Sequence, residues 1–277
     1  MYKRQGIGSF NGVGSNIVIA GGDITASGGA GGAGIGGGLS GAGSYIVING
    51  GNVTATGGTL EGGPFRISGA GIGGGAYEAG SHITISDGTV IASSYNGAGI
   101  GGGCEGEGTY IEISGGDVDA SCNDDGAGIG GGYQRAGSYI TISGGMVTAT
   151  SKLGAGIGGS SAGTGGTGNK LEGNAVVFAT NGEEVTDHIQ GFDGGLISGV
   201  LFQGDAGKVY GNPAIAANAR IEAGKTLTIE SEQTLTINKG VTLTNYGTIT
   251  NHGIIYNNGA VNNYGTIDGN GEIIGNQ

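Results

Sequence analysis

The string Gly-Ala-Gly-Ile-Gly-Gly-Gly stands intact at 32–38, 69–75, 97–103 and 126–132, and a fifth copy at 154–160 ends in Ser160. A clipped copy, Gly6-Ile7-Gly8-Ser9, precedes them. The isoleucines of these strings, Ile7, Ile35, Ile72, Ile100, Ile129 and Ile157, are 28, 37, 28, 29 and 28 residues apart. A near-fixed period of this size restricts the chain to a solenoid, because each repeat can bury its apolar face only against its neighbours.

Two further pieces recur inside each period. One carries isoleucines at i and i+2: Ile17/Ile19, Ile46/Ile48, Ile83/Ile85, Ile111/Ile113 and Ile140/Ile142. The next carries a β-branched residue and an alanine: Ile24/Ala26, Val53/Ala55, Val90/Ala92, Val118/Ala120, Val147/Ala149 and Val177/Ala179. Period 2 puts each pair on one face of a strand, and β-branched side chains suit a half-buried sheet. Glycine pairs at 21–22, 50–51, 115–116 and 144–145, with Asp87-Gly88 in the odd copy, predict a turn between these two strands. Three short strands per turn of ~28 residues, stacked about 4.8 Å apart, describe an all-β parallel β-helix solenoid. The extra residues of the 37-residue repeat fall at 57–68, between the third strand and the next coil, where a loop can absorb them.

Seventy-two glycines in 277 residues would ordinarily indicate low complexity. The strict period and the regular Ile and Val oppose that reading, and without a Gly-X-Y triplet register the chain is not collagen-like. The net charge of −12, with only ten Lys and Arg, excludes nucleic acid as an expected partner, since phosphate binding needs clustered bases. No apolar run is long enough to span a membrane, and no secretory apolar segment is present. Met1-Tyr2-Lys3-Arg4-Gln5 fits no repeat, so residues 1–5 are expected to be non-native. The chain opens in mid-repeat and stops at Gly275-Asn276-Gln277 without a cap, so it is read as a piece of a longer protein that carries other domains.

Residues 6–180 form the Gly-rich coils on this reading, 181–216 an irregular junction, and 217–277 a region of shorter coils. In the last, Leu243, Ile249, Ile255, Val261, Ile267 and Ile273 are each six residues apart, with glycine two residues before each from Ile249 to Ile267. Three such hexads predict a narrower coil of about 18 residues.

The motif Gly-Ala-Gly-Ile-Gly-Gly-Gly followed by Ser-Tyr-Ile-x-Ile-x-Gly-Gly-x-Val-Thr-Ala, as in 32–55, resembles the Gly-rich β-helical repeats of large bacterial cell-surface, adhesin-like proteins. Thr-Leu-Thr-Asn-Tyr-Gly-Thr-Ile at 242–249 extends the resemblance. It implies a right-handed, pectate-lyase-like β-helix that is secreted and displayed on the cell surface.

Candidate sites are few. If Ala33 and Ile35 point inward, Gly32, Gly34 and Gly36 face out and form a wall of bare backbone, which either admits a glycan chain or another sheet, or serves only as tight corners. Tyr45, His82, Tyr110 and Tyr139, with Asn16 above them, precede the Ile pairs and should form an outward ladder. Stacking on one another is its expected role, and a sugar-binding platform is the alternative. The acidic residues Glu105, Glu107, Glu112, Asp117, Asp119, Asp124 and Asp125 lack an Asp-x-Asp-x-Asp-Gly loop and read as a solvated surface, not a calcium site. Cys104 and Cys122 could pair only if their loops fold together, and the strand between their corners argues against it. His82, His188 and His252 are too scattered for a zinc site or a triad. Thr-x-Thr pairs at 226, 234, 242 and 248 resemble ice-binding rows, but their uneven spacing fits ordinary strand preference better.

The functional expectation is therefore a non-enzymatic extracellular structural or adhesin-like segment, with no cofactor and no metal. The alternative is a carbohydrate-binding module contacting polysaccharide or cell-surface glycans through Tyr45, His82, Tyr110 and Tyr139. A polysaccharide lyase or hydrolase fits less well, because residues 6–169 hold only Arg66, Arg135 and Lys152 as basic groups.

Overall fold

The computed structural model describes residues 6–61, 66–181 and 187–276, so the expectation for residues 1–5 lies outside the described residues. No described residue is helical. The second and third strands of each coil stack in parallel register, Ile46 on Ile17 and Ile83, Val53 on Ile24 and Val90, and Ala120 on Ala92 and Ala149. Ile46, Ile48, Val53 and Ala55 are at most 1% exposed, so both period-2 pairs point into one continuous column. Burying an Ile or Val in this way contributes about 1.5–3 kcal/mol. The two strands meet at the glycine corner, and in two coils they run on as single bent strands, Gly43–Thr56 and Gly80–Ser94. Gly51, Gly88, Gly116 and Gly145 hold φ of +93°, +99°, +85° and +78° there, which an L side chain rarely adopts.

The Gly-Ala-Gly-Ile-Gly string corrects the expectation of a bare outer wall. Gly32, Gly34 and Gly36 are buried, as are Ala33 and Ile35 between them. The string is a tight arch: Ala33 N–H donates to Gly37 O at 2.8 Å, and Ala70, Ala98, Ala127 and Ala155 repeat that bond with the carbonyl four residues on. Only two residues per coil pair in the sheet, Ile35–Gly36 with Ile72–Gly73 and so on. Glycine is needed because neighbouring coils press against it. A Cβ on Gly36 would lie 2.1 Å from Gly73 O, and one on Gly34 would lie 2.7 Å from Gly71 O and from Thr56 N.

The insertion of the 37-residue repeat forms a short antiparallel pair, Thr59–Leu60 with Ile67–Ser68. Its return strand is tied down by a buried polar network. Ser68 Oγ lies 2.9 Å from both Ser94 Oγ and Asn96 Oδ1, and Ser68 N–H donates to Asn96 Oδ1 at 3.0 Å.

At the junction, Val176–Thr180 pairs in parallel with Gly199–Gln203, which turns back antiparallel onto Ala206–Tyr210. That strand pairs in parallel with Thr226–Ile229, so strand direction reverses between the wide and narrow coils while one sheet continues through both. The core changes sides in the same place. Val177, Ala179 and Leu201 face the column of the wide coils, whereas Val176, Val200 and Phe202 face that of the narrow ones. The Phe178 and Phe202 rings stack at 4.7 Å against the second column.

Three sheets wall the narrow region. Early steps are longer, with Ala219 pairing with Leu243 and Leu235 with Ile255. The coils then settle to the 18 residues that the hexads predict, with Leu243 on Val261, Ile249 on Ile267 and Ile255 on Ile273. Buried asparagines turn the corners. Asn245 Oδ1 accepts from Gly247 N–H at 3.1 Å, while its Nδ2 donates to Asn263 Oδ1 at 2.7 Å and Thr266 O at 3.0 Å.

Candidate functional site

The structure brings Tyr45, His82, Tyr110 and Tyr139 together as one stack, with successive ring centroids 4.7, 5.0 and 5.0 Å apart. They face out from a backbone bulge, not from simple strand alternation. Ser44 pairs with Ser81 and Ile46 with Ile83, leaving Tyr45 and His82 unpaired between them. Asn16, Tyr45, His82, Tyr110 and Tyr139 all hold φ between +52° and +57°. That conformation suits Asn but costs a tyrosine roughly 1–2 kcal/mol, which ring stacking of about 0.5–1.5 kcal/mol per pair offsets. The inner rings have a neighbour on both faces, and a Cβ on Gly168 would lie 2.8 Å from Tyr139 Cδ1, so Gly168 covers the outer face of Tyr139. From His82 to Tyr139, ring edges are what the ladder presents to solvent.

A second left-handed row lies on the turn after each glycine string: Ser40, Tyr77, Glu105 and Gln134, with φ from +56° to +71°. Three of its members line a groove of about 810 Å3 together with Arg66, Ile67, Tyr95, Asn96, Cys104, Asp124, Asp125 and Tyr133. The strand of the insertion supplies one rim, and the Arg66 guanidinium lies over the Tyr95 ring, 4.9 Å from its centroid. These aromatics go unnoticed in the periodic reading. The signal that finds them is departure from the repeat: Tyr95 stands where other coils carry Gly29, Gly58, Asn123 and Lys152, and Tyr133 where they carry Leu39, Ala76, Cys104 and Ser161.

The half-exposed backbone expected of the glycine strings lies instead along the glycine corners. Gly88, Gly115, Gly116, Gly144 and Gly145 floor a trough of about 660 Å3 edged by Ser86, Ser114, Ser143, Asp87 and Asp117.

The seven acidic residues separate into three places. Glu105, Asp124 and Asp125 border the insertion groove, Glu107 is exposed just before the strand Gly108–Ile113, and Glu112, Asp117 and Asp119 face out from that strand and from Asp117–Cys122. Burial raises the Asp117 carboxyl pKa, and burial followed by the neighbouring Asp117 charge raises that of Asp119. Among the described residues, no three His, Cys, Asp or Glu side chains converge as metal ligands. Cys104 and Cys122 are free and buried, and burial is the main cause that pushes each thiol up to about 12. The histidines are spread over the chain. His82 is in the ladder, His188 is under the junction with burial lowering its pKa, and His252 Nδ1 is 2.8 Å from Asn270 Oδ1. The Thr-x-Thr pairs line three different walls, and in the next coil Thr234 and Thr236 meet Ile254 and Tyr256 instead of threonine.

The sequence model of a family described as a beta helix repeat matches residues 17–39, 46–76, 83–104, 111–133 and 140–161. Each matched segment begins one residue after a ladder position and ends just past a glycine string, so each takes in the second strand, the third strand and the arch. No curated protein and no solved structure matches the chain. Five consecutive matched segments, coinciding with stacked coils of parallel strands, make residues 17–161 of this chain a beta helix repeat region.

Proposed function

We propose that this chain is a non-enzymatic, extracellular structural segment of an adhesin-like bacterial surface protein, holding other domains of the same longer chain away from the cell. The observation that carries the reading is the interior. Ile, Ile, Val and Ala recur at the inward positions of coil after coil, each nearly or fully buried, so every coil templates the next and adds about 4.8 Å of reach. The pKa shifts at Cys104, Cys122, Asp117, Asp119 and Tyr210 arise first from burial, and the neighbouring Asp117 charge adds to that of Asp119. Antibodies raised against the purified chain test the placement: they label intact cells of the producing organism, and labelling confined to permeabilised cells would refute it. Turnover of pectin-like polysaccharides by the chain would overturn the non-enzymatic assignment.

A second reading, carbohydrate binding at the ladder, is supported by the exposure of Tyr45, Tyr110 and Tyr139, which keep 48–55% of their surface in solvent. Because the inner ring faces are occupied by one another, a polysaccharide running along the stack would lie across its hydroxyl edges. Retained glycan binding after Tyr45, Tyr110 and Tyr139 are each changed to Ala would remove the ladder from any such role.

A further inference from the structure

We propose that the groove beneath the insertion is a saccharide site, separate from the ladder, that takes a short glycan segment free of carboxylate and sulfate groups. Its construction differs from everything the repeat builds. The ladder stacks equivalent positions of successive coils, whereas this groove gathers Tyr77, Tyr95 and Tyr133 from three non-equivalent positions. The left-handed turns at Tyr77, Glu105 and Gln134 project successive side chains along one edge, and Tyr95 with Asp124 and Asp125 forms the other. Arg66 enters from the insertion, the one coil-to-coil connection that departs from the 28- to 29-residue period within residues 6–160. Insertions in solenoids collect on the binding face.

The frame is rigid where it needs to be. Asn96, 7% exposed, donates from Nδ2 to Arg66 O and accepts from the Ser68 N–H, so the backbone at Arg66 and Ser68 is fixed to the floor of the groove. Cys122 Sγ donates to Tyr95 O at 3.3 Å, and Tyr133 N–H donates to Asn96 O at 3.2 Å, so backbone on both sides of the groove is held. A volume of about 810 Å3 is of ligand-pocket size. Tyrosine rings offer apolar faces for sugar C–H groups, and carboxylate and amide side chains pair with hydroxyls. Charge decides the class of sugar. Glu105, Asp124 and Asp125 outnumber Arg66, whose guanidinium already rests on Tyr95, and the chain as a whole carries −12. A polyuronate or sulfated glycan meets like charge here, whereas a neutral or amino-substituted chain does not.

The proposal goes beyond the structural role, which stands or falls on the cell-labelling experiment and not on this one. Isothermal titration of the purified chain with cellohexaose, N-acetylated chitohexaose, the deacetylated chitosan hexamer and hexagalacturonate reads it directly. Binding of at least one of the first three is expected, weakened about tenfold by Tyr133→Ala and by Tyr77→Ala, while Tyr264→Ala, at an exposed ring on the narrow coils, changes it less than about twofold. Where Tyr133→Ala disturbs the circular dichroism spectrum, the near-isosteric Glu105→Gln at a half-buried turn position gives the same reading. Preference for hexagalacturonate, loss with Tyr110→Ala but not with the groove variants, displacement by hexalysine as readily as by sugar, or no binding of any hexaose would each overturn it.

Discussion

The rings of Tyr110 and Tyr139 lie 5.0 Å apart with planes 6° from parallel, and both residues hold a left-handed backbone, at φ +54° and +57°. Side chain and backbone pull in opposite directions there. Tyr110→Asn keeps a residue tolerant of that conformation and loses two stacking contacts, for an expected cost of about 1–2 kcal/mol. Tyr110→Val loses the rings and adds β-branched strain, costing about 1 kcal/mol more. Urea denaturation of the two variants checks the order, and equal losses would show that the bulge is not strained.

Gly101→Ala should be among the most damaging single changes in the chain. Its φ is +134°, and the added Cβ would sit 2.1 Å from Gly130 O in the next coil, so a loss of more than about 3 kcal/mol is expected. Gly29→Ala is the control, since nothing lies within 4 Å of its Cβ position, and it should stay within about 0.5 kcal/mol of the parent. Thermal melts of both decide it.

Cys104 and Cys122 should resist alkylation by iodoacetamide at pH 8 in the folded chain and react on unfolding, because each thiol is raised from 9.0 to about 12. The sign of the linkage follows. A folded pKa above the unfolded one stabilises fully below pH 9, and that contribution is lost as pH rises from 9 towards 12. A Cys104→Ala, Cys122→Ala variant should therefore be less pH-sensitive than the parent across that window, with a constant difference below it. Unfolding titrations at pH 7, 8, 9.5 and 10.5 measure the difference.

Asn251→Ala strips a partner from two backbone groups, the Gly253 N–H and Glu272 O, and should cost about 2 kcal/mol. Asn257→Ala should cost less, because among the described residues the Asn257 side chain bonds Asn276 O through Nδ2 and its Oδ1 has no partner. Hydrogen exchange at Gly253, compared between parent and Asn251→Ala, localises the effect.

The Ile and Val/Ala pairs could be placed from sequence because branched side chains at period 2 have one way to be buried, and the hexads because residues 18 apart stack one coil on the next, Leu243 on Val261 and Ile255 on Ile273. The glycine string could not, since alternation carries no meaning when the alternate residue lacks a side chain; the Ala33 to Gly37 hydrogen bond, not a pleat, shapes it. The ladder could be placed on the outside, but nothing in Ser-Tyr-Ile announces a left-handed tyrosine. The groove was hidden for a different reason. Its walls come from a turn, a post-strand loop and an insertion, and no period sets how those three meet.

The strand Val176–Thr180 and its neighbour Gly199–Gln203 lend alternate residues to two separate interiors. A slip of one residue along either would carry Phe202 into the column now filled by Leu201 and swap every contact on both sides. The strand pair is thus a party wall. Coils elsewhere could be added or removed as whole units, but a cut between the halves would leave each with a greasy, unroofed end, so the two share one fate in unfolding.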